Sequence, residues 1–214
     1  MKNSFRAFAL TAATLVALGA APAAAPAAPD NGNNTSALKA RMEMRRVWSD
    51  HATLTRQYIV SAASDNPDTE ALAKRVQQNA DDLANTLGQY YSDGVRARLS
   101  TLFRMHATLF SDAVTMAKTN EKDEMSSVQD KLEMNGRETI AFLCSLNPRW
   151  DEATLRGEFE QHVNRENDEL TAHVQQGGLG DLVASDEAQK QIVELADMLS
   201  SGIERQFPDR FVAN

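Results

Sequence analysis

The chain has 214 residues, 30 of them acidic and 22 basic, for a formal charge of −8. That sign disfavours nucleic acid and anionic membrane surfaces as partners, and a single cysteine excludes an intrachain disulfide. Once an N-terminal leader is set aside, about 180 residues remain, enough for one domain with one core.

Residues 1–25 read as a secretory signal peptide rather than as fold. Lys2 and Arg6 precede an apolar run from Ala7 to Ala20, and small residues with Ala-x-Ala spacing follow. The expected location is therefore periplasmic or secreted. The apolar run is shorter than the roughly 20 residues that span a bilayer, and no later segment approaches that length, so no membrane span is expected. Without Lys2 and Arg6 the chain keeps 20 basic and 30 acidic residues, a charge of −10. No cysteine lies near the cleavage region to carry a lipid. The Ala/Pro and Asn/Gly tract at 26–35 lacks apolar periodicity and reads as a disordered tether, which leaves 36–214 as one helical domain.

From Ser36 the apolar residues recur at helical spacing and the breaks fall on turn residues. The first helix runs to Ala63 with Val47, Leu54, Tyr58 and Ala62 on one face, and Ser64-Asp65-Asn66-Pro67 ends it. Asp65 or Asn66 is the expected cap of the second helix, with Pro67 in its first turn. That helix carries Leu72, Val76, Leu83 and Leu87 and stops near Ser92-Asp93-Gly94. The third bears Val95, Leu99, Leu102, Leu109 and Ala113, and a break at Thr119-Asn120 leads into the fourth, with Val128, Leu132 and Phe142. Asn147-Pro148 ends it. The fifth starts near Asp151, shows Leu155, Phe159 and Leu170, and closes at Gly177-Gly178; Ser185 is the expected cap of the sixth, marked by Ile192, Leu199 and Ile203. No strand pattern competes. Short loops between amphipathic helices predict an all-α, up-and-down antiparallel bundle of six helices made from three helical hairpins.

The hairpins repeat. The tetrapeptide HATL occurs at 51 and again at 106, and His51, His106 and His162 stand 55 and 56 residues apart in odd-numbered helices. Asn79 and Asn135, 56 apart, stand in even-numbered ones. Each of these five residues continues an apolar row and so faces the core. In an antiparallel hairpin, residues equidistant from the turn share a level. Both His51 and Asn79 lie 14 residues from position 65, and the other turns give the same level. Across the last, longer connection that level falls near Asp197. The expected layer is His51, Asn79, His106, Asn135, His162 and Asp197, with Arg56 and Asp82 on the flanks as supporting partners or surface charges.

Buried polar groups must find partners, at a cost of about 1 to 3 kcal/mol for each one left alone. One reading is a hydrogen-bonded layer that fixes helix register, as a core Asn does in coiled coils, in a non-enzymatic envelope protein that works through its surface. Another is a site. Three imidazoles and a carboxylate suit a divalent ion such as zinc, copper, iron or manganese, with His51, His106, His162 and Asp197 as ligands. Asn79, Asn135, Asp82 and Arg56 would then serve a small ligand held by the same layer. Glu166 and Glu169, on the same helix as His162, offer further oxygens, although the run from 166 to 169 also reads as a solvated face. Asn ligates these ions poorly, and the paired Glu-x-x-His set of di-iron bundles is missing. His173 reads as a partly exposed residue near a helix end, Trp48 and Trp150 as packing, and Cys144, in AFLCSL, as a buried inert thiol. Hydrolase, nucleotide and zinc-protease motifs are missing, so an enzyme using one of the histidines as acid or base has no motif behind it.

The segments VWSDHATLTRQYIVSA, QNADDLANTLGQYYSD, NGRETIAFLCSLNPRW and ADMLSSGIERQFPDRF resemble a family of exported bacterial helical proteins of uncharacterised function, over roughly residues 43 to 211. Some of its members carry an automatic glycosyltransferase label. The resemblance implies export and an all-helical domain. It supplies no catalytic residues, and a six-helix domain of this size lacks the α/β nucleotide-sugar platform that such a transferase needs.

Overall fold

The computed structural model describes residues 32–175 and 177–211. Among them are six α-helices and no strand: α1 (Gly32–Ala63), α2 (Thr69–Gly88), α3 (Asp93–Thr119), α4 (Lys122–Leu146), α5 (Glu152–Gln175) and α6 (Gly178–Gln206), followed by a 3-10 turn at Pro208–Phe211. The leader and most of the tether expected from the sequence lie outside the described residues. α1 begins at Gly32, so the last four residues of that expected tether are helical instead.

The turns follow side-chain chemistry. Asp65 and Asn120 adopt left-handed backbone, at φ 54° and 59°, a conformation that Asp and Asn tolerate better than most residues. Ser92 caps α3 by accepting a hydrogen bond from the Val95 amide. Asp68, rather than Asp65 or Asn66, precedes α2, and its carboxylate accepts from Ser61 instead of capping. Gly177 and Gly178 take φ 60° and 63°, which reverses the chain in two residues and lets α6 start at once. Ser185 is therefore inside α6 and caps nothing.

The helices close into a ring with a pseudo-threefold plan. α1, α3 and α5 touch one another at the centre, whereas α2, α4 and α6 do not meet and each covers the groove between two odd-numbered helices. α6 closes the ring against α1, and α4 against α5 is the least intimate of the neighbouring pairs. Gly202 permits close packing of the last hairpin: a Cβ there would stand 1.9 Å from the Trp150 indole nitrogen, which donates to the Leu199 carbonyl. Cys144 is half-buried, more open than its apolar neighbours suggest.

The apolar interior is divided. One cluster, around Trp48, Leu87, Phe103, Leu155 and Leu199, fills the end where the odd helices begin. A second, around Ile59, Val76, Phe110, Val128 and Leu170, fills the other end. Between them lies a polar layer, held by hydrophobic packing on both sides. Among the described residues, no helix is long and apolar enough to cross a membrane.

Candidate metal centre

The same local arrangement builds each third of the layer. The Asn79 side-chain amide of α2 donates to the Val47 carbonyl, four residues before His51, at 3.2 Å. Asn135 of α4 does the same to Leu102, four residues before His106, at 3.1 Å. Gln191 of α6 does the same to Glu158, four residues before His162, at 2.9 Å. Gln191 follows Asn135 by 56 residues, the interval that separates Asn135 from Asn79. The third repeat is thus complete, with a longer amide in the Asn position. These amides fix the axial register of every hairpin.

Asp197, expected at this level, is elsewhere. It lies on the surface in a two-pronged pair with Arg45, 2.5 and 2.6 Å. The expectation took the last connection to be longer than the other turns. Because the chain reverses at Gly177 itself, the residue facing His162 comes six positions earlier, about 9 Å along the helix. Asp82 also leaves the layer, and meets only Arg75 on the outside at 3.3 Å.

The carboxylate of the layer belongs to Glu166. One turn beyond His162 on α5, it reaches back among all three rings: Oε2 is 2.9 Å from His106 Nε2, and Oε1 is 3.3 Å from His51 Nε2 and 3.6 Å from His162 Nε2. His51, His162 and Glu166 are buried and His106 is nearly so. One ligand atom from each of the four residues lies within 4.8 Å of every other, so the group can hold a metal ion. Two ligands each about 2.1 Å from a zinc-like ion stand roughly 2.9 to 3.6 Å apart for bond angles between about 90° and 120°. The three imidazole–carboxylate separations fall in that range.

Hydrogen bonding directs His51 toward this role. Because the Asn79 amide nitrogen donates to Val47, its oxygen faces His51 Nδ1 at 3.1 Å and must accept a hydrogen bond from it. A neutral His51 then presents the lone pair of Nε2 to a carboxylate oxygen, and Glu166 Oε1 has no hydrogen-bond donor. A metal-bound histidine usually donates its other ring N–H to an oxygen acceptor, and the Asn79 amide oxygen can fill that place.

The charges are coupled. Burial works against ionising Glu166, yet His162 and His106 hold its carboxyl well below the usual range. Burial likewise works against a charge on His106, but the charge and hydrogen bond of Glu166 raise that imidazole above its ordinary value. Burial pushes His162 down to about 3, with His51 and His106 adding to the effect against the pull of Glu166. Burial thus favours the uncharged ring at His162, the form that binds metal.

Arg56 belongs to a second buried cluster. It forms a two-pronged pair with Asp181, its Nη2 at 2.6 Å, and its Nε lies 3.6 Å from Glu169. His173 Nδ1 sits 2.9 Å from the same Asp181. This cluster ties α5 and α6 to α1. Sequence reasoning missed Asp181 and left Glu166 and Glu169 between oxygen ligands and a solvated face; they are only 4 % and 1 % exposed, whereas His173 is partly exposed as expected. The spacing of four from His162 was the available signal for Glu166, and the repeat interval of 56 for Gln191. No family model, characterised protein or solved structure matches the chain.

Proposed function

We propose that this protein binds one divalent first-row transition-metal ion in the middle of its bundle, through His51, His106, His162 and Glu166. The observation that carries the reading is the convergence of three imidazoles from three helices on one buried carboxylate with no permanent cation among them. Three nitrogens and one oxygen suit zinc, iron, manganese or copper, and the hard calcium and magnesium ions poorly. Asn79, Asn135 and Gln191 act around the ion: the first orients His51, and all three lock the helices. The order of charged, apolar and small residues before position 26 supports export, so the protein is proposed to meet its metal outside the cytoplasm.

The test is elemental analysis and calorimetric titration of untagged protein with zinc, copper(II), manganese and, under anaerobic conditions, iron(II). One ion per chain, lost in both His106→Ala and Glu166→Gln, is the expected result. Binding that survives both substitutions, or no stoichiometric uptake of any of the four, overturns the reading.

A purely structural layer is the second reading, and the three amide-to-carbonyl bonds favour it for the amides. They do not account for the imidazoles, whose Nε2 atoms gather on the two oxygens of one carboxylate rather than on any group that fixes register.

A further inference from the structure

The three odd helices run in the same direction, so residues three before each histidine form their own tier. They are Trp48, Phe103 and Phe159, aromatic in every repeat, and Trp48 meets Phe103 edge-on at 6.0 Å. Between this tier and the three imidazoles lies a cavity of about 30 Å³. Its walls include Ala80, Leu83, Gly136 and Val163. All three histidines line it and Glu166 does not, because that residue stands one turn to the other side of the rings.

Resting on the metal reading above, we infer that the ion keeps an open coordination position facing this cavity, and that the position takes a small ligand of one to three atoms carrying a hydrogen-bond acceptor, such as hydroxide, peroxide, azide or dioxygen. Four protein ligands alone would close a tetrahedral zinc site, so the open position is a fifth one, of the kind to which metal sites can expand. Here the carboxylate occupies one face of the imidazole triad and a cavity the opposite face. The size sets the ligand: a single water needs at least about 10 to 15 Å³, so this space holds one or two water-sized units and nothing bulkier. The donor is at hand as well. Trp48 lines the cavity, and its indole N–H is buried without an acceptor among the described residues. A buried donor left alone is costly, and a bound acceptor atom relieves it.

The access route is also visible. Gly136, Phe159 and Val163 line both the cavity and an open groove of about 460 Å³ between α4 and α5. This is the pair of neighbouring helices that packs least closely. A Cβ added at Gly136 meets nothing within 4 Å, so the space beside it is open and a larger side chain there can project into it.

Cobalt(II) and azide test this in untagged, full-length mature protein. Cobalt uptake is read from its visible d–d absorption, and azide is then titrated into the loaded protein. The expected result is a saturable change in that spectrum with one azide per cobalt. Gly136→Leu, whose side chain projects into the space between groove and cavity, keeps the cobalt stoichiometry and weakens azide binding or slows its onset about tenfold or more. Gly136→Ala, a better helix former that still fits, keeps the helical circular dichroism and shows a smaller effect. Trp48→Phe weakens azide several-fold and leaves cobalt uptake unchanged. A cobalt spectrum that ignores azide in the unsubstituted protein overturns the open position while leaving the metal site standing. Azide binding unchanged in both Gly136→Leu and Trp48→Phe removes the cavity as its location. Failure to take up cobalt, zinc or iron overturns the site and this inference together.

Discussion

Glu166 and Glu169 lie one turn apart on α5 and are both buried, yet their surroundings differ in kind. Glu169 shares a cluster with Arg56, Asp181 and His173, in which a guanidinium carries a permanent positive charge. Burial pushes the Glu169 carboxyl upward, with Ser185 and Arg56 pulling the other way. Glu166 meets three imidazoles and no guanidinium or ammonium. A buried charge needs a compensating one, so the first cluster carries its own cation, although Glu169 Oε1 accepts no hydrogen bond there, and the second depends on imidazole protons or on a metal ion. The difference separates a clasp from a group that could hold a metal ion, though both mix histidine with carboxylate.

The largest expected effect tests that distinction directly. Metal at a thousandfold excess over its dissociation constant adds about 4 kcal/mol of stability. For a domain of this size that raises Tm by roughly 8 to 16 °C in a thermal melt. His106→Ala and Glu166→Gln should lose the increase, whereas Asp181→Asn should keep it. An equal increase in Glu166→Gln would mean that the ion binds elsewhere. Next in size is Arg56→Met, which leaves Asp181 and Glu169 without their cation and should cost about 3 kcal/mol in a denaturant titration. Metal affinity in that variant should be unchanged, and a parallel loss would join the two clusters into one site.

How much of this was legible follows from the physics of each signal. Helix count and hairpin order rest on periodicity and turn residues, which are local, and the six helices agree with them. The histidine layer was legible because three copies at nearly equal intervals impose equal depth. Asp197 failed for a topological reason: two glycines with positive φ shorten the last turn, and nothing in the letters distinguishes that from a longer loop. Gln191 was hidden by chemistry, since a search for Asn or Asp passes over the longer amide that fills the same position. Glu166 sits in a strongly polar stretch, RENDE, where composition argues for solvent and only the tertiary partners, His51 and His106 on other helices, show otherwise.

A finer comparison lies within the layer, between two amides. Asn79 holds both the Val47 carbonyl and the His51 ring, whereas Asn135 donates to Leu102. Replacing either by Ala should cost about 1 to 3 kcal/mol, because buried polar groups lose their partners. Only Asn79→Ala should also weaken metal binding, by about 10- to 100-fold, since it frees the ring that presents Nε2. Equal losses in calorimetry would show that the amides act through register alone.

The smallest effect belongs to the clasp and is one of pH. The Arg56 hydrogen bonds, aided by His173, hold the Asp181 carboxyl down to about 2, against an ordinary 3.8. A group depressed in the folded state binds its proton more readily when unfolded, so it stabilises the fold above its unfolded value and loses that contribution as pH falls. The window is therefore about pH 4 down to 2, and the contribution about 1 to 2 kcal/mol. Asp181→Asn cannot titrate there. The stability gap between it and the unsubstituted chain, measured by urea unfolding without metal, should hold steady above pH 5 and narrow between pH 4 and 2. A gap that stays constant through that range would mean that Asp181 contributes packing rather than charge, and that the clasp owes nothing to its guanidinium.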